Sequence, residues 1–452
     1  MPSEFTPEQD ERLPLILGFQ PVTANTVGAT RFMDYGKGVY VYDTDGREYL
    51  EATATFYVAA LGYQHEELIE AITAQYRQLP FFVSAMNRTG RTSLELADRL
   101  RELVPIADAH LLFGTTGSEA LDFLTKLLRA QAVARGRPER TTIFSRHGSY
   151  HGATLAAASL TGGHHAEFAL PLPGFRHVAQ PDYHGARLPG EAPRDYAARL
   201  ARELESRIAQ EPPDTIAAFV AEPVSFSAGF MLPPAEYFPA LTAVLDAHGI
   251  ALVADEVVTG IGRLGDWFGT QALGLAPAHL TLGKALTGGY FPLSAIAIGP
   301  ELYADLESGS TAVGTFAHAS TYAAHPVGAA AALKVLEIIE RDGLVAHGAR
   351  MGERLAAVLE RLRGHPLVGD VRTLGLAGCL DFLRRDADDR PRDTAAAAEE
   401  TCRAVNAALF DRGVVGRAAG RGLVIAPPLI VSPGEIDDIG ARLAAALDAV
   451  GG

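Results

Sequence analysis

One acidic residue and one lysine in the segment 251–284 could serve the same cofactor. The apolar run at 250–254 predicts a short buried strand of a parallel sheet, and Asp255 follows it directly. Ligands of open α/β sheets bind at the carboxyl ends of strands, so a carboxylate there could keep a heterocyclic nitrogen protonated. Lys284 follows a second short apolar segment and could supply an amine for a Schiff base. Each has an ordinary alternative, which is a turn or helix cap for Asp255 and a solvated surface charge for Lys284.

A glycine-rich turn at 114–120, with the sequence GTTGSEA, lies between a predicted strand at 110–113 and a predicted helix at 118–135. Its small residues permit close approach of the backbone, and the free amides of a helix N-terminus suit a phosphate. An ordinary turn with Ser118 as the helix N-cap is the alternative. The turn matches neither the dinucleotide-binding nor the P-loop fingerprint.

Two further side chains follow predicted strands of the same sheet. Tyr150 comes after the strand predicted at 142–145, where its ring could stack on a flat cofactor or pack in the core. Glu222 ends the strand predicted at 216–221, where a capping or salt-bridge role is the alternative. Because these strands bring Ser118, Tyr150, Glu222 and Asp255 to one edge, the sequence predicts a binding site there.

The elements that must position these residues repeat one theme from about 110 to 300, an apolar strand, a polar or glycine-rich turn and a helix. The predicted strands are 110–113, 142–145, 216–221, 250–254, 280–281 with its neighbours, and 293–298, and the covering helices include 118–135, 196–210 and 234–248. This pattern predicts an α/β fold with a mainly parallel sheet covered by helices on both faces.

The flanking parts predict a smaller α+β domain. A hairpin signature occupies 38–50, helices are predicted at 65–78 and 92–103, and after 330 we expect helices at 333–339, 351–363 and 395–411, a strand at 375–382 and a final helix capped by Ser432 and Glu435. The expected organisation is an N-terminal segment, 1–60, packing with the small domain, a large domain, 61–330, and a small C-terminal α+β domain, 331–452.

Composition excludes several classes of function. The formal net charge of the 452 residues is −15, which argues against a nucleic-acid partner. Cys379 and Cys402 lack metal-type spacing and predict reduced thiols. The start of the chain, MPSEFTPEQDERLP, has no signal-peptide pattern, and no apolar run is long enough to span a bilayer. We therefore expect no metal, no membrane attachment and a cytoplasmic location.

Several motifs in combination resemble the class III (omega) aminotransferases, which are fold type I pyridoxal-phosphate enzymes. The matching stretches are TGSEALDFLTKLLRA at 116–130, SYHGATLAAASLTG at 149–162, FVAEPV at 219–224, LVADEVVTGIGRLGDWFG at 252–269, GKALTGGYFPLSAIAIG at 283–299, STYAAHPVGAAAAL at 320–333 and IAPPLIVSPGEID at 425–437. The likeness covers nearly the full length from Gly38. It departs from common family wording at Thr115-Thr116, where Asn-Ser is usual, and at Gly283 and Ala285 around the lysine.

The resemblance implies a role for each matching cofactor residue. Lys284 would hold pyridoxal 5'-phosphate covalently and act as the catalytic base, and Asp255 would pair with the pyridinium nitrogen. The other implied contacts are the ring, sandwiched by Tyr150 and Val257, an acidic support from Glu222, and the phosphate, held by Gly117, Ser118 and, across a homodimer interface with shared active sites, Thr321 of the partner subunit.

The resemblance also implies the substrate side of the site. Tyr57, together with Tyr150, would form a wall of the substrate pocket, and Arg417 would hold a substrate carboxylate. The predicted reaction moves an amino group from an amine or ω-amino acid to a 2-oxo acid, with pyruvate as the expected acceptor. The alternative within the same fold is a pyridoxal-phosphate-dependent aminomutase, racemase or decarboxylase. An oxidoreductase would lack its glycine fingerprint, and a binding module without catalysis would leave Lys284 unexplained.

Overall fold

The computed structural model describes residues 11–163 and 165–451, and a seven-stranded sheet forms its centre. The strands lie in the order His110–Gly114, Ser294–Ile298, His279–Leu282, Ala251–Asp255, Ile216–Ala221, Thr142–Arg146, Phe175–Val178. Neighbouring strands pair in parallel, except that Ser294–Ile298 is antiparallel to both of its neighbours. The predicted α/β fold with a mainly parallel sheet is therefore confirmed.

Both faces of this sheet are covered by helices. Successive side chains of a strand point to opposite faces. Phe219 accordingly belongs to an apolar cluster with the helices Pro193–Ile208 and Tyr237–Ala247. Its neighbour Val220 packs on the other side with the helix Gly117–Ala134. The continuous apolar composition of the central strands follows from this double coverage.

The edge strand Phe175–Val178 is absent from the predicted elements, and its sequence explains why. It has four residues, two of which are Arg176 and His177, so it carries no apolar run. It pairs only with Thr142–Arg146 in the sheet, and Arg176 forms an ion pair with Glu211 at 2.5 Å. A polar, short strand is how proteins often protect a sheet edge.

Two smaller sheets flank the central one. The first has the order Met33–Lys37, Tyr40–Asp43, Glu48–Glu51, Val414–Val415, and the second has the order Asp370–Thr373, Gly378–Asp381, Gly422–Ile425, Arg417–Ala419. The predicted hairpin at 38–50 is confirmed, since Asp43 Oδ1 accepts the backbone N–H groups of Asp45 at 3.1 Å and Arg47 at 2.9 Å across its turn.

The remaining long helices surround these sheets. They are Glu66–Gln78, Arg91–Leu103, Pro300–Val313, Pro326–Arg341, Leu344–Glu360, Ala395–Phe410 and Pro433–Gly451, with short helical turns at Val22–Ala24, Ala54–Tyr57, Leu155–Leu160, Ala166–Phe168, Tyr183–Ala186, Gly269–Ala272 and Lys284–Thr287. The helices predicted at 333–339 and 351–363 start earlier than predicted. The final helix has its predicted capping box, because Ser432 N–H donates to Glu435 Oε2 at 2.7 Å and Glu435 N–H donates to Ser432 Oγ at 3.3 Å.

A single large apolar cluster joins the parts of the chain. It contains Leu50 from the N-terminal sheet, Leu280 from the central sheet and Leu423 from the C-terminal sheet. The boundaries expected at 60 and 330 therefore stay predictions. Residues 1–10, which make up most of the N-terminal stretch searched for a signal peptide, lie outside the described part. Among the helices of the described segments, none combines the length and the apolar character needed to cross a bilayer.

Candidate active site

A cavity of about 360 Å³ lies at the carboxyl ends of the central strands. Its lining includes all the predicted cofactor-binding residues except Thr321, namely Gly117, Ser118, Tyr150, Glu222, Asp255, Val257 and Lys284. The clustering predicted from strand ends thus exists in three dimensions. The roles of the individual residues remain predictions, and their contacts follow.

Asp255 is a buried carboxylate with three donors around it. Oδ1 accepts the N–H of Val257 at 3.1 Å and the hydroxyl of Thr281 at 3.2 Å, and Oδ2 lies 2.7 Å from His151 Nδ1. Asp255 is 4% exposed and His151 is 3% exposed. These contacts fix the orientation of the carboxylate at the end of its strand, where it faces the cavity.

Lys284 lies opposite, at the start of a tight turn. Its φ is +45°, and its Nζ lies 5.8 Å from the centre of the Tyr57 ring. The pKa of Lys284 is lowered to about 8, mainly by burial and also by Arg417, while Asp255 and Glu222 act in the opposite direction. A lysine with such a pKa supplies a neutral, nucleophilic amine at moderate pH.

Glu222 is a second buried carboxylate of the cavity, and it is paired with the buried Arg146. Its Oε1 accepts the hydroxyl of Ser225 at 3.0 Å, and Oε2 forms an ion pair with Arg146 at 3.6 Å. Arg146 also donates to the backbone carbonyl of Glu222 at 2.6 Å. Burial raises the pKa of Glu222, and His151 and Arg146 oppose that rise.

The N-terminus of the helix Gly117–Ala134 forms one end of the cavity. Thr116 caps this helix, because its hydroxyl accepts Glu119 N–H at 3.1 Å. Thr116 is one of the two residues at which this turn departs from the usual family motif, so the departure keeps a capping residue. Ser118 Oγ accepts Ala153 N–H at 3.0 Å. Gly152, with φ +136°, packs so tightly here that a Cβ would lie 2.5 Å from Ser118 Oγ. The free amides of this first turn give an anion site beside a closely packed loop.

These residues fit a phosphorylated, flat heterocycle that carries an aldehyde, which is the chemistry of pyridoxal phosphate. A Cβ at Gly117 would come within 3.0 Å of Val257 Cγ1, so the glycine leaves a narrow space open above an apolar side chain. On the cavity wall, Glu222 Oε2 and His151 Nε2 are buried and have no hydrogen-bond partner in the described segments. The amine of Lys284, the carboxylate of Asp255 and the helix amides would meet the aldehyde, the ring nitrogen and the phosphate.

A larger cavity, of about 930 Å³, adjoins the first and shares Tyr150 with it. Arg417 lines it, with its guanidinium carbon 4.4 Å from the ring centre of Phe56 and 5.4 Å from that of Tyr57. Phe19 lies 6.1 Å from Tyr150, ring centre to ring centre, at the same place. No ion pair within 4.0 Å involves Arg417 in the described part of the chain.

Tyr57 is buried, lines neither cavity, and lies on an unusual turn whose neighbouring residues do line them, Phe56 the larger cavity and Val58 the smaller. All four residues from Ala54 to Tyr57 have positive φ, which is rare for residues other than glycine. The Tyr57 ring contacts Phe226 at 4.7 Å between ring centres, and burial raises its pKa to about 12, with Arg417 opposing. The left-handed turn therefore aims one ring at Lys284 and Arg417 together.

Thr321 lies apart from both cavities. It is exposed, although its neighbour Ser320 donates to Glu119 Oε1 at 2.7 Å at the helix N-terminus. The structure thus leaves Thr321 available to another subunit and out of the lining of its own.

His151, Thr281 and Arg146 are the contacts that sequence reasoning missed. His151 directly follows Tyr150 and stands in the same strand-end motif, which is a usable signal. Thr281 lies inside a predicted strand and Arg146 directly follows one, and only the pairing of strands brings them to Asp255 and Glu222.

The chain is similar to known proteins over most of its length. The family model described as aminotransferase class-III matches residues 22–447. A probable gamma-aminobutyrate transaminase 3, mitochondrial, from rice (Oryza sativa subsp. indica) is 38% identical over 420 residues, covering 92% of this chain and 82% of the relative.

Solved structures of similar proteins extend over nearly the whole chain. The omega transaminase from Pseudomonas jessenii in complex with PMP has a TM-score of 0.90 and 37% identity, with 93% of each chain covered. The PMP-bound form of an aminotransferase from Vibrio fluvialis has a TM-score of 0.92 and 33% identity, covering 97% of this chain and 96% of the other.

Proposed function

The chain belongs to the class III aminotransferases, a pyridoxal-phosphate family that moves amino groups, and we propose that its donor is an amine or ω-amino acid and its acceptor is pyruvate. The rice relative carries the name of a gamma-aminobutyrate transaminase, and gamma-aminobutyrate is an ω-amino acid, which supports this class of donor. Pyridoxal phosphate supplies an electron sink for the carbon that carries the transferred amine.

The chain's own groups divide the remaining work. Lys284 Nζ, with its lowered pKa, would take the proton from the substrate carbon and deliver it to the cofactor. Asp255, oriented by its three donors, among them His151, would hold the ring nitrogen in its protonated form. Gly117 and Ser118 would bind the phosphate through the amides of the helix N-terminus. Val257 and Tyr150 would confine the ring, with Glu222 beside it.

The proposal of an oxo-acid acceptor rests mainly on the position of Arg417. Its guanidinium rests on two aromatic rings at the entrance to the cofactor cavity, without a carboxylate of the described chain within 4.0 Å. A carboxylate of the substrate can therefore pair with it, and a charge-assisted contact of this kind is worth about 1.5–3 kcal/mol. Tyr150, which lines both cavities, would form a wall beside the rest of the substrate, and Tyr57 would support that wall from behind through its ring near Lys284 and Arg417.

A homodimer with shared active sites is part of the proposal. Exposed apolar side chains gather on two segments, with Phe81 and Met86 on one and Tyr322 on the other. The chain after each segment reaches a common contact, in which Ser93 Oγ donates to the carbonyl of Ala324 at 2.6 Å. A second copy covering this surface would bring Thr321 of the partner subunit towards the phosphate.

We also propose a cytoplasmic location for the enzyme. Cys379 and Cys402 are both free and buried, which suits a reducing compartment. Microscopy of the natural protein would test this, and import into an organelle would contradict it.

A donor and acceptor screen on purified protein tests the proposed reaction. We expect an ω-amino acid or a simple amine to convert pyruvate to alanine, and no product to form when the acceptor is omitted. Turnover that needs no acceptor would favour an aminomutase, racemase or decarboxylase. Arg417→Ala should lower kcat/KM for pyruvate by roughly ten- to a hundredfold.

A further inference from the structure

A further cavity, of about 610 Å³, lies at the amino ends of the central strands. Ala217 and Ala251 line it near the starts of two parallel strands, and the same strands reach Glu222 and Asp255 of the cofactor cavity at their other ends. The two cavities therefore lie at opposite edges of one sheet. A volume of this size is within the usual range for small-molecule sites, about 300–1,000 Å³.

Positive charge is in excess around this space. Three arginines line it and define what we call the arginine cavity, namely Arg135, Arg137 and Arg140. The acidic residues of the lining are Asp246 and Glu301. His279 also lines it but adds no charge near neutral pH, because burial lowers its pKa to about 4. This local excess stands out in a chain whose formal net charge is −15.

The three guanidinium groups differ in their partners. Arg135 forms an ion pair with Asp305 at 2.7 Å. Arg140 donates to the backbone carbonyl of Gly249. Arg137 takes part in none of the ion pairs within 4.0 Å in the described part of the chain. Its charge is therefore available to an anion that enters the cavity.

The arginines also lie close enough to repel one another. The pKa of Arg140 is lowered, mainly by burial and also by Arg137 and Arg135, while Asp214 acts in the opposite direction. A bound anion would offset this repulsion, because it would attract the same guanidinium groups that now repel each other.

The remaining wall suits an anion that carries an apolar body. Ile106, Leu128 and Leu302 are buried side chains of the lining. The helix Pro300–Val313 begins at the cavity, and its N-cap is Gly299, which has no side chain to occupy the anion position at the first turn. A helix N-terminus favours negative charge and would act together with the arginines.

We propose that the arginine cavity is a second binding site, which takes a small organic anion whose carboxylate or phosphate is attached to an apolar body. The anionic group would pair with Arg137 and Arg140, and the body would cover the apolar wall. The inference does not depend on the proposed reaction, because the arginine cavity shares no lining residue with the cofactor cavity or the 930 Å³ cavity.

The alternative is that these arginines serve the fold alone. Arg135 would then hold Asp305, Arg140 would hold the carbonyl of Gly249, and Arg137 would be an ordinary solvated charge. The two explanations differ most at Arg137, since only a ligand site gives it a partner.

The test is titration calorimetry of Arg417→Ala holoenzyme with phenyl phosphate and, separately, with phenylacetate. The Arg417→Ala background removes the contact proposed for a substrate carboxylate, so that site does not compete. We expect one equivalent of at least one probe to bind, and the probe that binds more tightly identifies the anionic group. Adding Arg137→Gln should weaken this binding about tenfold or more. Arg403→Gln is the matched control, because Arg403 is an exposed arginine outside the lining, and it should change nothing.

A second variant tests the space without changing the charge. Ala107 is exposed and lines the arginine cavity, so Ala107→Trp should fill part of the space and weaken binding about tenfold. Inorganic phosphate, which has no apolar body, should bind at least tenfold more weakly than the better phenyl probe. No binding of either probe, or binding that Arg137→Gln and Ala107→Trp leave unchanged, would overturn the site. Amino transfer by the wild-type enzyme would persist in that case, so failure of this site and failure of the proposed function are distinguishable.

Discussion

At the scale of single residues, burial and the charges around Lys284 set the pH at which its amine becomes neutral. Burial is the largest influence on its pKa, and it acts together with Arg417 against Asp255 and Glu222. A lysine normally titrates near 10.5, whereas here the pKa is lowered to about 8. Neutral amine therefore forms as the pH rises through about 8, well before it would on an exposed lysine.

We predict that the cofactor-free protein reacts with pyridoxal phosphate at a rate that rises with pH through a midpoint near 8. Arg417→Ala should move the midpoint upward, since it removes a nearby positive charge, and Asp255→Asn should move it downward, since it removes a negative one. Stopped-flow absorbance over a pH series measures the midpoint. A wild-type midpoint near 10.5, or variants shifting in the opposite directions, would contradict this account of Lys284.

The sequence was enough to predict the site residues at the strand ends, but not the side chains that hydrogen-bond to them. Asp255 and Lys284 were recognisable because each follows an apolar run and matches a family motif. His151 and Thr281 contact Asp255 from 104 and 26 residues away along the chain, and only the fold brings them there.

At the scale of elements, the turns between strands and helices hold the cofactor cavity in shape. The loop around Gly152 presses against Ser118 so closely that no Cβ fits between them. Apolar runs predicted where the strands lie, but they do not state strand direction, since a buried strand reads the same either way. The antiparallel direction of Ser294–Ile298 is therefore visible only in the strand pairing of the structure, and its composition could not predict it.

Gly152→Ala should weaken the retention of pyridoxal phosphate by roughly five- to a hundredfold. The new Cβ would lie 2.5 Å from Ser118 Oγ and would need a φ of +136°, a conformation whose strain costs about 1–3 kcal/mol. Equilibrium dialysis of the cofactor measures the effect. Gly163→Ala is the control, because Gly163 has a φ of +100° with nothing within 4 Å, so it should strain the backbone and leave cofactor affinity unchanged. Equal affinity in both variants would show that the contact with Ser118 is unimportant.

At the scale of the whole molecule, exposed apolar side chains near residues 81–86 and at 322 mark the surface that we propose for the dimer. Met86 is 88% exposed, and Phe81 is 70% exposed beside it in sequence. Large exposed apolar patches on proteins often mark interaction surfaces. Pattern and composition could not locate this surface, because an exposed apolar side chain in a loop has no periodic signal.

Met86→Glu should weaken dimerisation by about 100-fold or more, because a charge buried without a partner costs several kcal/mol. Sedimentation velocity over a concentration series measures the association. Leu188→Glu is the matched control, since Leu188 is 58% exposed on a different part of the chain, and it should leave the dimer intact. Dissociation in both variants, or in neither, would argue against this surface as the interface.

The most direct measurement of the central claim is borohydride reduction of the holoenzyme followed by peptide mapping, carried out at three stages of one reaction. Before any substrate is added, the reduced cofactor should be found on Lys284. After the amine donor alone, that label should disappear, because the cofactor then carries the amino group. After pyruvate, it should return to Lys284. Label on another lysine, or label on Lys284 that the donor does not remove, would contradict an aminotransferase built around Lys284.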